Sequence, residues 1–402
     1  MSQAKIKQVV FTTGILLFGC QAENEKSAPL INYDKQVVST VELNTKFLPP
    51  NNKKILFIGQ DSDTISNYII DNPMDNIEGI TLYTSLKSEN PVLALPAIKS
   101  SADWNSGTVD FHKSLTESSN AVLAIGLSFD SCNSEDHSSL ISHGSYDESI
   151  YFLADYLKSI APRKVFLRIG YEFDGPWNCY QPESYKASFK RIVDILREKN
   201  VSNFTSVWQS ATWPDPSIAG EKASLYDFSR PEHLSDWYPG DDYVDWVSLS
   251  VFYRDLSQWN YIPPYTPDFA QQKILDFARQ KNKAVMIAES APQGYRTSAL
   301  THSFIQVNKQ SPITAEMLWQ AWYEPFFTFI NENQDVIRAV AYINTHWESQ
   351  GMWFCADKSG PPASDCPNGN WGDSRVQANT YIKQQWLKEV NNADRWIQSS
   401  QY

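Results

Sequence analysis

A single (β/α)8 barrel is the fold this sequence predicts, on three observations. Short apolar runs recur along the chain, amphipathic stretches of helical period fall between them, and two of the runs end in a glutamate. The runs are Lys54–Gly59, Ile80–Tyr83, Ala121–Ser128, Lys164–Ile169, Thr205–Trp208, Val244–Val251, Ala284–Ala288 and Ala339–Asn344. Apolar runs alternating with helical stretches imply parallel strands joined by crossover helices. The runs are nearly continuous in apolar residues, as expected of strands covered by helices outside and packed side chains inside. Their number is that of the barrel.

The clearest helical stretches are Tyr146–Ile160, Glu183–Lys199, Asp268–Lys281, Thr314–Asn331 and Gln377–Ile397. In Glu183–Lys199, Phe189, Ile192, Val193, Ile195 and Leu196 keep a helical period with charges opposite. Thr314 is placed to cap its helix. No repeat, internal linker or second domain interrupts residues 49–402, which reads as one barrel domain. The loop Glu348–Asp373 is long and rich in Gly and Pro, and loops of that length are usually functional.

The N-terminus reads as an export signal. Lys5 and Lys7 precede an apolar stretch, Val9–Phe18, too short to span a bilayer. It ends in Leu17, Phe18, Gly19 and Cys20, which resembles the bacterial lipoprotein cleavage box. The expectation is a leader over 1–19, lipidated Cys20, and a tether and N-terminal segment over 20–48. An ordinary secretory signal with an incidental cysteine is the alternative. Gln21 after Cys20 resembles outer-membrane sorting. Losing the two leader lysines takes the net charge from −12 to −14. No basic cluster remains, which argues against a nucleic-acid partner. The six histidines are scattered, so neither metal nor cofactor is expected, and contact with a membrane is expected only through the lipid. The protein is expected to act as a monomer.

Apart from Cys20, four cysteines remain: Cys132, Cys179, Cys355 and Cys366. Export makes disulfides plausible, and four cysteines allow three connectivities. Cys132 follows strand three and Cys179 follows strand four, in neighbouring loops on one face, so they are expected to pair. Cys355 and Cys366 would close a short loop.

The two strand-ending glutamates carry the functional reading. Glu172 follows the run from Lys164, and Glu289 that from Lys283. Carboxylates at the C-terminal ends of barrel strands lie on the active face. Two of them on different strands are the minimum for glycoside hydrolysis, one protonating the leaving oxygen and the other attacking the sugar or activating water. Glu172 and Glu289 are the candidates for these two roles. Arg168, four residues before Glu172, should share its face. The plainer alternatives are a buried Glu172–Arg168 ion pair and a strand-end cap at Glu289.

Four segments resemble glycoside hydrolase family 26 in order. Ile55–Thr64, ILFIGQDSDT, resembles the first strand of that family, with its Gly-His-Gln-Asp-like run. Leu167–Trp177, LRIGYEFDGPW, resembles the fourth-strand motif that carries the acid/base and a nearby Gly-x-Trp. Trp237–Val247, WYPGDDYVDWV, is similar to the approach to strand six. Val285–Ser290, VMIAES, falls where the nucleophile strand belongs. The resemblance covers about residues 50 to 350 and implies a retaining glycosidase of clan A acting on mannan, β-1,3-xylan or mixed-linkage glucan. Tyr171 departs from the pattern, since the family usually has histidine before the acid/base. Tyrosine donates a hydrogen bond but carries no positive charge at neutral pH, and a distinct family of the same clan stays open.

The resemblance also places Tyr253 as a hydrogen-bond partner of the nucleophile and Trp347 as a sugar platform after strand eight. Sugar rings stack on flat aromatic side chains, and the chain has 14 tryptophans. Trp177, Trp208 and Trp213 at strand ends are further platform candidates, with core packing as the alternative. Gln60 and Asp61 after strand one are candidate ligands for sugar hydroxyls. Asp174 and Glu348 are carboxylates near the face that could be mistaken for catalytic ones. The expected function is a retaining endo-glycoside hydrolase acting on an external β-linked polysaccharide. A non-catalytic glycan-binding lipoprotein, and an inverting glycosidase or lyase, are the alternatives.

Overall fold

Eight strands close a parallel barrel in chain order: β1 Ile55–Gly59, β2 Gly79–Ser85, β3 Val122–Ser128, β4 Val165–Ile169, β5 Phe204–Ser210, β6 Trp246–Val251, β7 Ala284–Ser290 and β8 Ile337–Ile343, with β8 returning to β1. The structure, a computed structural model, describes residues 42–398 apart from 73–76, 87, 91–92, 130–131, 133–135, 214–222, 253–265, 304–309 and 354–370. Every expected strand is present. β2 and β5 run longer than their apolar cores because polar inward residues extend them.

Helices α1 Ser62–Asp71, α2 Phe111–Glu117, α3 Asp147–Ser159, α4 Pro182–Glu198, α5 Pro267–Lys281, α6 Glu324–Glu332 and α7 Thr380–Val390 flank the strands. Helix α4 buries Phe189, Ile192, Val193, Ile195 and Leu196 together with Tyr185, each large apolar side chain being worth about 1.5–3 kcal/mol. Two expected helices differ. Thr314 does cap its helix, accepting from Met317 N, but the stretch widens to a π-helix over Trp319–Tyr323 before α6. Pro325 follows at once. It has no N–H to donate and crowds the carbonyl four residues back, so the wide turn absorbs the misfit. The last helix stops at Val390, where Asn391 and Asn392 follow. The chain then returns beneath the barrel, Ile397 N donating to Lys54 O at 2.9 Å.

Pleating sorts the barrel into two layers of side chains. Val165, Leu167 and Ile169 of β4 face the helices, while Phe166 points inward with Phe57, Val207, Trp246, Met286 and Ala339. Successive strand residues face opposite sides, so the next inward position on β4 is Arg168. Residues 44–47 dock at the N-terminal ends of the strands. Trp246 Nε1 donates to Lys46 O at 2.8 Å, and Ala284 N to Thr45 Oγ1 at 2.8 Å.

Candidate active site

Above the apolar layer the inward residues turn polar: Thr81 on β2, Arg168 on β4, Gln209 on β5, Ser250 on β6 and Glu289 on β7. Arg168 is fully buried. Its Nε donates to Gln209 Oε1 at 2.8 Å, Nη1 to Thr81 Oγ1 at 3.2 Å, and Nη2 pairs with Glu289 Oε1. Gln209 Nε2 reaches the same Glu289 oxygen at 3.4 Å and Ser250 Oγ at 3.1 Å. The ion pair expected as the plain alternative for Glu172 is thus made with Glu289.

Strict alternation would turn Glu289 outward, because Val285 and Ile287 face the helices. A register shift against β6 corrects this, Leu249 pairing with Ile287 and Ser250 with Glu289, so that Ala288 is left over. Bulges re-aim side chains in this way.

Glu172 arrives differently. Strand β4 ends at Ile169, and Gly170 and Glu172 both have positive φ, 54° and 52°. The carboxylate therefore reaches the site on a tight turn rather than on the pleat shared with Arg168. Ser250 Oγ donates to its Oε1 at 2.7 Å and Trp177 Nε1 to its Oε2 at 2.9 Å. Asn178 Nδ2 holds the Glu172 carbonyl at 2.9 Å. Burial, reinforced by the Glu289 charge, pushes the Glu172 carboxyl up to about 8, against the two hydrogen bonds and Arg168, which favour the ionised form.

Both glutamates line one cavity of about 380 Å³, with Gln60, Tyr83, Trp104, Tyr171, Trp177, Met352 and Trp353 among its walls. The Tyr171 ring meets Tyr83 edge to face at 5.4 Å, and the Arg168 guanidinium lies 4.9 Å from the Tyr83 centroid and 5.2 Å from that of Tyr171. Gly126 leaves room for this pair, since a Cβ there would sit 2.5 Å from the Tyr83 ring. Burial first, then the Glu289 charge, holds the Tyr171 hydroxyl well above its ordinary range, so it stays a donor.

Of the expected aromatic platforms, Trp177 lines the cavity and is 47% exposed. Trp213 stands against it, ring to ring at 6.0 Å and 78°. Two others are corrected. Trp208 is 0% exposed and stacks on Phe173 at 4.4 Å on the helix side of β5. Its pleat points outward, and the next residue, Gln209, enters the site. Trp347 is 2% exposed, donates Nε1 to Ser374 Oγ at 3.1 Å, and is flanked by the rings of Trp353 and Trp371. Trp353 takes the cavity wall instead.

Gln60 lines the cavity, but Asp61 does not. Its carboxylate caps α1, accepting from Thr64 N at 2.9 Å and Thr64 Oγ1 at 2.6 Å, and it faces a second cavity of about 550 Å³. Glu348 is consumed in a buried pair with Arg296. Cys132 and Cys179 form the expected disulfide, with Cα atoms 5.0 Å apart, tying the Glu172 loop to the loop after β3. Cys20, Tyr253, Cys355 and Cys366 lie outside the described residues.

Sequence reasoning missed Gln209, Ser250, Tyr83, Trp104 and Trp353. Inward parity could have found two of them: Ser250 lies an even number of residues from Trp246, and Gln209 from Val207. Trp104 comes from the short hairpin Ala102–Asp103 and Thr108–Val109, tied to the loop after β8 where Met352 N donates to Asn105 O at 2.7 Å.

No family model matches the chain. Over 350 residues it is 31% identical to a β-1,3-xylanase of an Alcaligenes species and to the β-1,3-xylanase TXYA of a Vibrio species. The matches cover 86% of this chain and 65% and 66% of those relatives, so the chain spans just under two thirds of their length. Among solved structures, a family 26 endo-β-1,4-mannanase catalytic domain of Bacillus sp. JAMB-750 superposes with a TM-score of 0.52 at 15% identity, over 90% of this chain and 94% of that one. A modular endo-β-1,4-mannanase of Cellulomonas fimi, also of family 26, gives 0.54 at 13% identity, over 90% and 78%. The chain therefore shares the (β/α)8 fold of the family 26 mannanases and is similar in sequence to two β-1,3-xylanases.

Proposed function

We propose that this chain is a retaining endo-glycoside hydrolase cleaving β-linkages of an extracellular polysaccharide, with β-1,3-xylan its substrate. One observation carries the reading. Two buried glutamates share a cavity in different settings, Glu172 kept protonated to about pH 8 and Glu289 ion-paired to Arg168. That division of labour is what acid and nucleophile require. In the first step Glu172 gives its proton to the departing glycosidic oxygen while the Glu289 carboxylate bonds to the anomeric carbon. In the second, the Glu172 carboxylate takes a proton from water, whose oxygen displaces Glu289 and returns both groups to their starting states. Arg168 and Gln209 donate to the Glu289 carboxylate and orient it. Trp177 serves both as donor to Glu172 and as aromatic wall for a sugar face. The substrate assignment rests on the names of the two sequence relatives, and the aromatic walls of the cavity suit a neutral sugar chain.

The test is digestion of β-1,3-xylan, mannan and mixed-linkage glucan, with products read by mass and fresh anomers by proton NMR. Oligosaccharides from β-1,3-xylan, released first as the β anomer, are expected. An initial α anomer would mean inversion, and tight binding without cleavage would mean a glycan-binding protein. We propose also that Cys20 is lipidated after removal of residues 1–19, anchoring the enzyme at the outer membrane. Mass analysis of the mature N-terminus checks this, and an unmodified Cys20 would refute it. Cys355 and Cys366 are proposed to pair, for which non-reducing peptide mapping is the check.

A further inference from the structure

Two residues beyond Glu172 lies a buried charged group that the proposed chemistry does not use. Asp174 and His233 are both fully buried, with Oδ2 and Nε2 3.0 Å apart. Asp174 also accepts from Ser210 Oγ at 2.8 Å and from Ala211 N at 2.8 Å. A buried carboxylate without partners is very costly, so these three donors fix where Asp174 can sit. His233 opens a short helix, His233–Trp237, and its ring packs on Phe228 with centroids 4.4 Å apart. It donates from a position that is itself locked.

The contacts of Asp174 lead back to the acid/base by two routes. Ser210 Oγ, held by Asp174, accepts from Thr212 N at 3.0 Å. Thr212 has a left-handed backbone, φ 48°, and its hydroxyl donates to the carbonyl of Ser250. Ser250 is one of the two donors to Glu172. The other route runs through Trp213, next in the chain, whose ring stands against Trp177, the second donor to Glu172. The turn itself is stitched to the end of β5, Phe173 N donating to Gln209 O at 3.0 Å.

We propose that Asp174 and His233 are positioning residues for the acid/base, setting the end of β5 so that Ser250 and Trp177 hold the Glu172 carboxyl in line with the leaving oxygen. This rests on the assignment of Glu172 as the acid. Displacement of a catalytic group by about 1 Å costs on the order of 10²-fold, and the loss should fall only on reactions that need the proton.

The test measures kcat/KM for Asp174→Asn, His233→Gln and Ser210→Ala on β-1,3-xylooligosaccharides and on the matching 2,4-dinitrophenyl glycoside, whose leaving group departs without protonation. Losses of about 10- to 100-fold on the oligosaccharides, with changes of about twofold or less on the aryl glycoside, are expected. The alkaline limb of the pH profile should move as well. Equal losses on both substrates, or none on either, would overturn the proposal. Ser210→Ala removes little volume and decides the matter if the other variants do not fold. Glu172→Gln is the control: if it shows no leaving-group dependence, the acid assignment itself has failed, whereas dependence there and in none of the three variants defeats the positioning role alone.

Discussion

The lower and upper layers of the barrel lumen are built from successive inward positions, Phe166 and Arg168 on β4 and Val207 and Gln209 on β5, yet different forces govern them. Below, Phe57, Phe166, Trp246 and Met286 fill the space with apolar volume. Above, Thr81, Arg168, Gln209, Ser250 and Glu289 fill it with a hydrogen-bonded charge network. The lower layer stabilises the fold by burial. The upper layer holds an ion pair out of water, which is weak support for stability; beside it, burial and the Glu289 charge keep Glu172 protonated against the pull of Ser250 and Arg168. On β4, two residues thus separate a group that packs the barrel from one that holds the candidate site.

Breaking the lower layer should show first as lost stability. Phe166→Ala should cost about 3–5 kcal/mol in denaturant unfolding while the folded fraction keeps its kcat. Lost activity without lost stability would erase the distinction between the layers. In the upper layer the pattern should reverse. Glu172→Gln and Glu289→Gln should each remove at least about 10²-fold of activity on polysaccharide, since acid–base catalysis alone is worth about 10²–10⁴, and both should fold. A dinitrophenyl leaving group should partly rescue the first step of Glu172→Gln. Near-native turnover of polysaccharide by either variant would remove that residue from the mechanism.

The pH dependence sharpens the comparison. Glu172 ionises near its ordinary 4.5 in the unfolded chain but only near 8 when folded. Between those values the unfolded state has released a proton that the folded state retains. Stability therefore falls as pH rises from about 4.5 to about 8, then levels. Glu172→Gln should flatten that slope and be the more stable protein above neutrality, and activity should fade through about pH 8 as the acid ionises. A wild-type slope unchanged in the variant would place the titration elsewhere. The smallest expected effect is at Tyr171. Tyr171 lines the cavity with its hydroxyl kept protonated, and if that hydroxyl donates to the sugar in the transition state, loss of one neutral hydrogen bond, about 0.5–1.5 kcal/mol, should lower kcat of Tyr171→Phe about threefold to tenfold with little change in KM. An unchanged kcat would make Tyr171 a packing partner of Tyr83 only.

The two layers also explain which residues were legible in sequence. Runs such as Val165–Ile169 reveal a barrel strand because burial on both faces leaves a continuous apolar signature. Glu289 stands out because a charge directly after such a run is unusual, Glu172 because it follows one within three residues, and Arg168 because it interrupts one. Cys132 and Cys179 were found from loop order. Trp208 misled because a tryptophan at a strand end reads alike on either pleat, and one residue of phase puts it against Phe173 while Gln209 enters the site. Asp61 misled because helix capping and sugar binding call for the same residue type at a strand end. Trp347 misled because Trp353, from later in the loop, shares its face.

By itself the sequence determined the number and order of strands, the helices between them and the two carboxylates at the active end, because local periodicity and burial preference are written in neighbouring residues. Only the tertiary structure decided which carboxylate keeps its proton. The Arg168 that pairs with Glu289, the bulge that turns Glu289 inward, and the Ser250 and Trp177 that hold Glu172 converge from strands up to 121 positions apart. A proton's affinity depends on the burial and charge assembled around it, and closure of the barrel is what assembles them.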